Sequence, residues 1–293
     1  MSTSTAAKIP PLIYGTAWKK DQTRKLVRQA LLVGFTGVDT AAQPKHYQED
    51  LVGQGIRDAI KEGGLKRSHL YIQTKFTSIH GQDPRRMPYD AQQNITDQLA
   101  VSIASSLHNL RHSETTADAY LDCLVLHSPF PSLAQTQEAW RAMESHVPAR
   151  ARTLGISNIY SIDVLKSLYD FARVKPAIVQ NRFYADSGYD VEIRAFCAAN
   201  GVRYQSFWTL TANPRLLKSE AVETVAREVG VGLPVALYGL VLGLGEVSVL
   251  NGTTNVGRMT EDLEGVKKIR QWATSAPQSW REVSASFGKL LQT

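Results

Sequence analysis

The chain has little that would mark it for export, a membrane or a disulfide framework. Only two cysteines occur in 293 residues. Cys123 lies in an apolar run and Cys197 on an amphipathic stretch, where inert reduced thiols usually sit, so no disulfide is expected and a reducing, cytoplasmic compartment is. The opening MSTSTAAKIPPLIYG carries no basic segment followed by a long apolar core, so no secretory signal is expected. The longest apolar stretch, GLPVALYGLVLGLG, is too short and too glycine-rich to span a bilayer and reads as a buried helix. Charge is in modest basic excess, +6 with a pI near 9.2, but the lysines and arginines are scattered. That pattern argues for a solvated surface, so neither a nucleic-acid nor a membrane partner is expected. The first strand-like run continues as IYGTAWKK without G-x-G-x-x-G, which weighs against a doubly wound dinucleotide-binding sheet.

What the chain does contain is alternation. Apolar residues make up 43% and charged residues 20%, enough to bury a large core. Strand-like runs fall near residues 12–17, 37–42, 70–76, 119–127, 152–157, 177–183, 202–208 and 247–252. Amphipathic stretches with apolar spacing of three and four separate them, and Asn94, Ser132, Ser161 and Ser219 are candidate caps at helix starts. Strict alternation implies a parallel sheet. Eight such units without a linker or composition break predict an α/β fold, a single (β/α)8 TIM barrel over residues 1–293, with an extra C-terminal helix around APQSWREVSASFGKLL.

Polar residues punctuate the ends of those runs: Asp39 in GVDTAA, Lys75 in LYIQTKF and His127 in DCLVLHSP, with Tyr47 a short loop after the first. In a parallel barrel the carboxyl ends of the strands converge on one mouth, whereas a charge buried in mid-strand is costly. An acid, an amine, an imidazole and a phenol would then share one pocket. Such a set suits a reaction that builds negative charge on a carbonyl oxygen and calls for a proton donor. A phenol serves better if a neighbouring ammonium lowers its pKa, and an ammonium in a dry pocket needs a carboxylate beside it. No metal is required by this set.

VDTAA followed by Tyr and VG, a strand ending in TK, another ending in LH-x-P, then GISN and a late GTTNVGR resemble the aldo-keto reductase superfamily, in that family's order. The resemblance implies a nicotinamide cofactor bound without a Rossmann domain and four catalytic groups at Asp39, Tyr47, Lys75 and His127. Tyr47 follows the aspartate by eight residues where five is usual in the family, and His46 competes for its place. The VG register at Val52 and Gly53 favours Tyr47.

By the same resemblance, Ser157, Asn158 and Gln180 hold the nicotinamide carboxamide, Phe207 stacks on its ring, and Thr253, Thr254, Asn255 and Arg258 meet the 2'-phosphate. Two departures bear on cofactor choice: Gly252 stands where the family has lysine, and Asp262 where it has asparagine. Arg258 can still grip a phosphate through two donors, so NADP(H) is expected, with NAD(H) possible. Thr77 and Ser128 replace tryptophans common in the family, leaving Trp18, Phe130 and Trp208 as apolar pocket walls. The expected activity is NAD(P)H-dependent reduction of an aldehyde or ketone of small size. A Schiff-base lyase using Lys75 and a dinucleotide-sensing subunit without turnover are the alternatives.

Overall fold

A computed structural model describes residues 8–292. Eight parallel strands close into a barrel in sequence order: β1 (Leu12–Gly15), β2 (Gly37–Asp39), β3 (Tyr71–Phe76), β4 (Leu121–Leu126), β5 (Ala151–Ser157), β6 (Pro176–Arg182), β7 (Arg203–Phe207) and β8 (Val247–Asn251). Around it run α1 (Thr23–Leu32), α2 (Glu49–Gly63), α3 (Ile95–Asn109), α4 (Leu133–Glu144), α5 (Ile162–Phe171) and α6 (Val191–Ala199). The last third adds α7 (Pro214–Leu217), α8 (Glu220–Val229), α9 (Leu233–Leu242), α10 (Val256–Ser275) and α11 (Pro277–Leu290).

Each expected strand is present, and GLPVALYGLVLGLG contains the buried helix α9. Among the described residues no single helix is long and apolar enough to cross a membrane. Asn94, Ser132 and Ser161 cap α3, α4 and α5 by accepting from the backbone N–H three residues on. Ser219 does not cap in that way; its hydroxyl points back to donate to the Leu216 carbonyl at 2.7 Å. The C-terminal helix α11 packs against α8 and α10 on the outside of the barrel.

Side chains two apart on a strand share a face, which sorts the barrel interior into tiers. Ile13, Tyr71, Cys123, Val125 and Ile178 form an apolar cluster inside the barrel. Two residues further along β3 and β6 come Gln73 and Gln180, level with Gln205 of β7, all buried and joined through Gln205. The next residues in the series, Lys75 on β3 and His127 just past β4, reach the mouth. The opposite strand faces carry Tyr14, Val38, Ile72, Leu124 and Val179 into the larger core beneath the helices.

One glycine sets the approach of the Tyr47 loop. A Cβ at Gly53 would lie 1.8 Å from the Asn109 carbonyl oxygen, so only glycine lets α2 cross the end of α3 this closely. Beside it Val52 is fully buried. The VG pair therefore fixes where the preceding loop enters the barrel mouth.

Candidate active site

Asp39 ends β2 and Lys75 lies one residue before the end of β3, and the two are buried to 2% and 1% exposure. Lys75 Nζ donates to both Asp39 carboxylate oxygens at 2.7 Å and to the Thr40 carbonyl at 2.9 Å. An ammonium has three protons, so all of them are placed. Burial pulls the Lys75 pKa down, and the Asp39 charge works against that fall.

The glutamine tier completes the shell around Asp39. Gln73 and Gln180 each donate an amide proton to Asp39 Oδ1, at 2.6 and 2.9 Å, and the other to Gln205 Oε1, at 2.8 and 2.9 Å. Gln205 in turn donates to Gln73 Oε1 at 3.0 Å. A buried carboxylate wrapped by an ammonium and two amides satisfies the condition that buried charge be both paired and hydrogen-bonded. Gln73 and Gln205 were not among the residues expected to form the site. Their signal in the sequence is a glutamine at an inward position of an otherwise apolar strand, in YIQTKF and RYQSF.

Tyr47 and His127 stand over this pair. Lys75 Nζ lies 5.2 Å from the centroid of the Tyr47 ring, a cation–π contact, and the His127 ring meets the Tyr47 ring edge to face at 6.2 Å. Burial and then the Asp39 charge push the Tyr47 phenol above its ordinary pKa. This corrects the expectation of a phenol made more acidic by Lys75: Asp39 neutralises the ammonium, and desolvation dominates. His127 is held well below the usual imidazole range by burial, by Lys75 and by His46, so its ring is neutral. His46, the rival acid, is stacked on Trp18 at 3.9 Å, with Nδ1 against Gln43 Oε1 at 2.8 Å.

At the end of β5, Ser157 donates to the Gln180 carbonyl at 2.7 Å, and Asn158 donates to the His127 carbonyl at 2.8 Å and to Ser157 Oγ at 3.1 Å. With these protons and both of those on Gln180 committed, the three side chains keep only acceptor capacity. Phe207 is half-buried at the end of β7. Next to it Trp208, 50% exposed, carries the Arg182 guanidinium over its ring at 4.7 Å. Trp18, 64% exposed, lies on the rim, as does Trp208, while Thr77 is buried and Ser128 and Phe130 are half-buried after β4. Trp18, Asn158 and Trp208 all hold left-handed φ values of 64°, 52° and 60°. Strain of this kind gathers where surrounding structure overrides local preference, and here it gathers at the barrel mouth.

The loop after β8 is ordered by its own polar groups. Asn251 Oδ1 accepts from Thr253 N at 3.0 Å, and Thr253 Oγ1 accepts from Asn255 N at 3.2 Å. Asn255 then caps α10 by accepting from Arg258 N at 3.0 Å. Thr254, Asn255 and Arg258 are exposed at the start of this 20-residue helix, a setting that suits an anion. Asp262 is turned inward and bound by Asn251 Nδ2 at 2.6 Å, and burial raises its carboxyl to about 6. Lys19 reaches across from the β1 loop to donate to the Gly252 carbonyl, bringing a cation beside the position that lacks one.

Fold and site together define a (β/α)8 barrel with a buried acid–amine pair beneath a phenol and a neutral imidazole at the carboxyl ends of its strands. The chain belongs to the Aldo/keto reductase family, whose profile matches residues 11–288. It is 28% identical to glycerol 2-dehydrogenase (NADP(+)) of Hypocrea jecorina, over 91% of this chain and 90% of that protein. It is 27% identical to aldo-keto reductase family 4 member C11 of Arabidopsis thaliana, over 89% of this chain and 82% of the relative. In fold it is similar to a Bombyx mori aldo-keto reductase solved in complex with NADP, with a TM-score of 0.70 and 21% identity, covering 90% of this chain and 89% of that one.

Proposed function

We propose that this protein reduces an aldehyde or ketone to the alcohol using NADP(H), with Tyr47 as proton donor. The observation that carries the reading is the Lys75 ammonium held against Asp39 at 2.7 Å while facing the Tyr47 ring at 5.2 Å, with neutral His127 meeting the same ring edge to face at 6.2 Å. NADP(H), when bound, supplies the hydride. The chain's own residues do the rest. Tyr47 holds its proton through neutrality, because burial raises its pKa, and releases it to oxygen as negative charge develops there. Lys75, fixed by Asp39 and the glutamine tier, places positive charge beside that oxygen without moving. His127 orients the carbonyl by hydrogen bonding.

The acceptors left on Ser157, Asn158 and Gln180 fit a carboxamide NH2, and Phe207 fits the ring beside it. Thr253, Thr254, Asn255 and Arg258, with Lys19 nearby, fit the phosphate end, and the named NADP partners of the relatives support the same choice. Lys75 is a poor fit to a Schiff-base nucleophile, since its protons are fully bonded and a carboxylate keeps it charged. Residues 11–288 fall under one family profile, which supports a single catalytic domain. Cys123 and Cys197 lie buried on separate elements, which supports a reducing cytoplasmic setting.

Mixing the protein with NADPH and a panel of small aldehydes tests the reading. Loss of absorbance from NADPH that depends on the aldehyde is expected. Tight dinucleotide binding with no turnover on any carbonyl overturns it in favour of a sensing role, and borohydride trapping of a substrate on Lys75 overturns it in favour of lyase chemistry.

A further inference from the structure

Thr77 lies just past the end of β3, two residues after Lys75, and is 2% exposed. By resemblance it is a substrate-pocket position where a tryptophan is common in the family. The structure sets its Oγ1 at 2.6 Å from His127 Nδ1, and among the described residues that nitrogen is the hydroxyl's only hydrogen-bond partner. The rest of Thr77 is pinned. Its carbonyl accepts from the Tyr89 hydroxyl at 2.6 Å and from Gln82 Nε2 at 3.3 Å. Its methyl packs on Gly81, where an added Cβ would come within 2.7 Å of Thr77 Cγ2. The His127 main chain is held too, its N–H donating to the Phe76 carbonyl at 2.9 Å and its carbonyl accepting from Asn158 at 2.8 Å.

Proton counting decides the polarity of this contact. A threonine hydroxyl has one proton, and a neutral imidazole has one N–H and one bare nitrogen. Were Nδ1 protonated, the hydroxyl would accept from it, and its own proton would be buried with no acceptor. With Nδ1 bare, the hydroxyl proton goes to Nδ1 and both groups of this contact are paired, the cheaper arrangement where the hydroxyl is buried. The ring proton then belongs on Nε2.

We propose that Thr77 is a positioning residue that locks His127 in its Nε2–H tautomer, so that the ring offers a donor to the carbonyl oxygen of the substrate. The part played toward substrate rests on the carbonyl-reductase reading; the tautomer itself does not. A fixed ring nitrogen partner is the usual means of setting which histidine nitrogen acts.

Two-bond proton–nitrogen correlation spectra of 15N-labelled protein at neutral pH report the protonated ring nitrogen without any turnover, with His127 assigned by its loss in His127→Asn. Wild type and Thr77→Ser should show a bare Nδ1 and a protonated Nε2. Thr77→Val should show mixed tautomers, and its kcat/KM for aldehyde reduction should fall about tenfold, less than the cost of removing a transition-state donor outright. NADPH affinity should not change, and Thr77→Ser should restore the rate. A protonated Nδ1 in wild type overturns the proposal, as does a folded Thr77→Val that keeps both its tautomer and its kcat/KM. The expected tautomer in a protein that reduces no carbonyl supports the lock while refuting the reductase reading.

Discussion

The ammonium of Lys75 lies over the face of the Tyr47 ring, 5.2 Å from its centroid. Its three protons go to Asp39 and Thr40, and none goes to the phenol oxygen. Burial, and then the Asp39 charge, keeps the phenol protonated, poised to give a proton in reduction. His127 is likewise held neutral below the usual imidazole range. Neither group changes charge near neutrality. The kcat/KM for carbonyl reduction should therefore be level from about pH 6 to about pH 8, whereas alcohol oxidation, which needs the phenolate, should rise about tenfold per pH unit. Paired pH profiles in the two directions check this, and an inflection in reduction near the ordinary histidine pKa contradicts it.

Asp39 keeps Lys75 charged against a desolvation that pulls the other way. Asp39→Asn leaves a buried ammonium without its counter-charge. It should lower kcat/KM by about a hundredfold or more and cost about 3 kcal/mol of stability. Denaturant unfolding and steady-state rates on the same preparation separate the two losses. Gln73→Leu, which removes one amide from Asp39 but leaves the ion pair, should have a smaller effect on both.

Much of this arrangement is legible in the chain, and the part that is not has physical causes. The eight strands and the ends that carry Asp39, Lys75 and His127 follow from apolar runs closed by single polar residues, because the carboxyl ends of parallel strands gather such groups at one mouth. Helix α10 is harder to read: its buried stripe of Met259, Asp262, Gly265, Val266 and Ile269 gives two of its places to a carboxylate and a glycine. The glutamine tier joins residues 73, 180 and 205, far apart in the chain, so only closure of the barrel reveals it. The direction of the Tyr47 shift depends on how deeply closure of the fold buries the phenol beside Asp39, which no spacing rule encodes. The role of Thr77 is hidden for a similar reason, since its hydroxyl finds His127 on the neighbouring strand.

Asp262 titrates higher in the folded chain than outside it, raised from 3.8 to about 6 by burial. A raised folded pKa means stability that is present below about pH 4 and lost as pH rises through about 6. Asp262→Asn removes that loss while keeping an acceptor for Asn251. It should stabilise the protein by about 1 to 3 kcal/mol at pH 8 and leave stability at pH 4 nearly unchanged. Thermal unfolding at the two pH values checks the sign, and equal effects at both would contradict it.

Gly53 admits no side chain, because an added Cβ would lie 1.8 Å from the Asn109 carbonyl oxygen. Gly53→Ala must push α2 away from the end of α3 and carry the Tyr47 loop with it. A loss of about 2 to 4 kcal/mol in stability is expected, with turnover falling by more than dinucleotide affinity does. Unchanged unfolding and activity would show that the loop is set by other contacts.

The central claim is that the Tyr47 phenol delivers the proton. Single-turnover oxidation of bound NADPH by an aldehyde, followed in wild type and Tyr47→Phe with dinucleotide affinity measured alongside, tests it most directly. The account predicts intact binding and a rate lower by about a thousandfold. A Tyr47→Phe protein that reduces the aldehyde at the wild-type rate would contradict it.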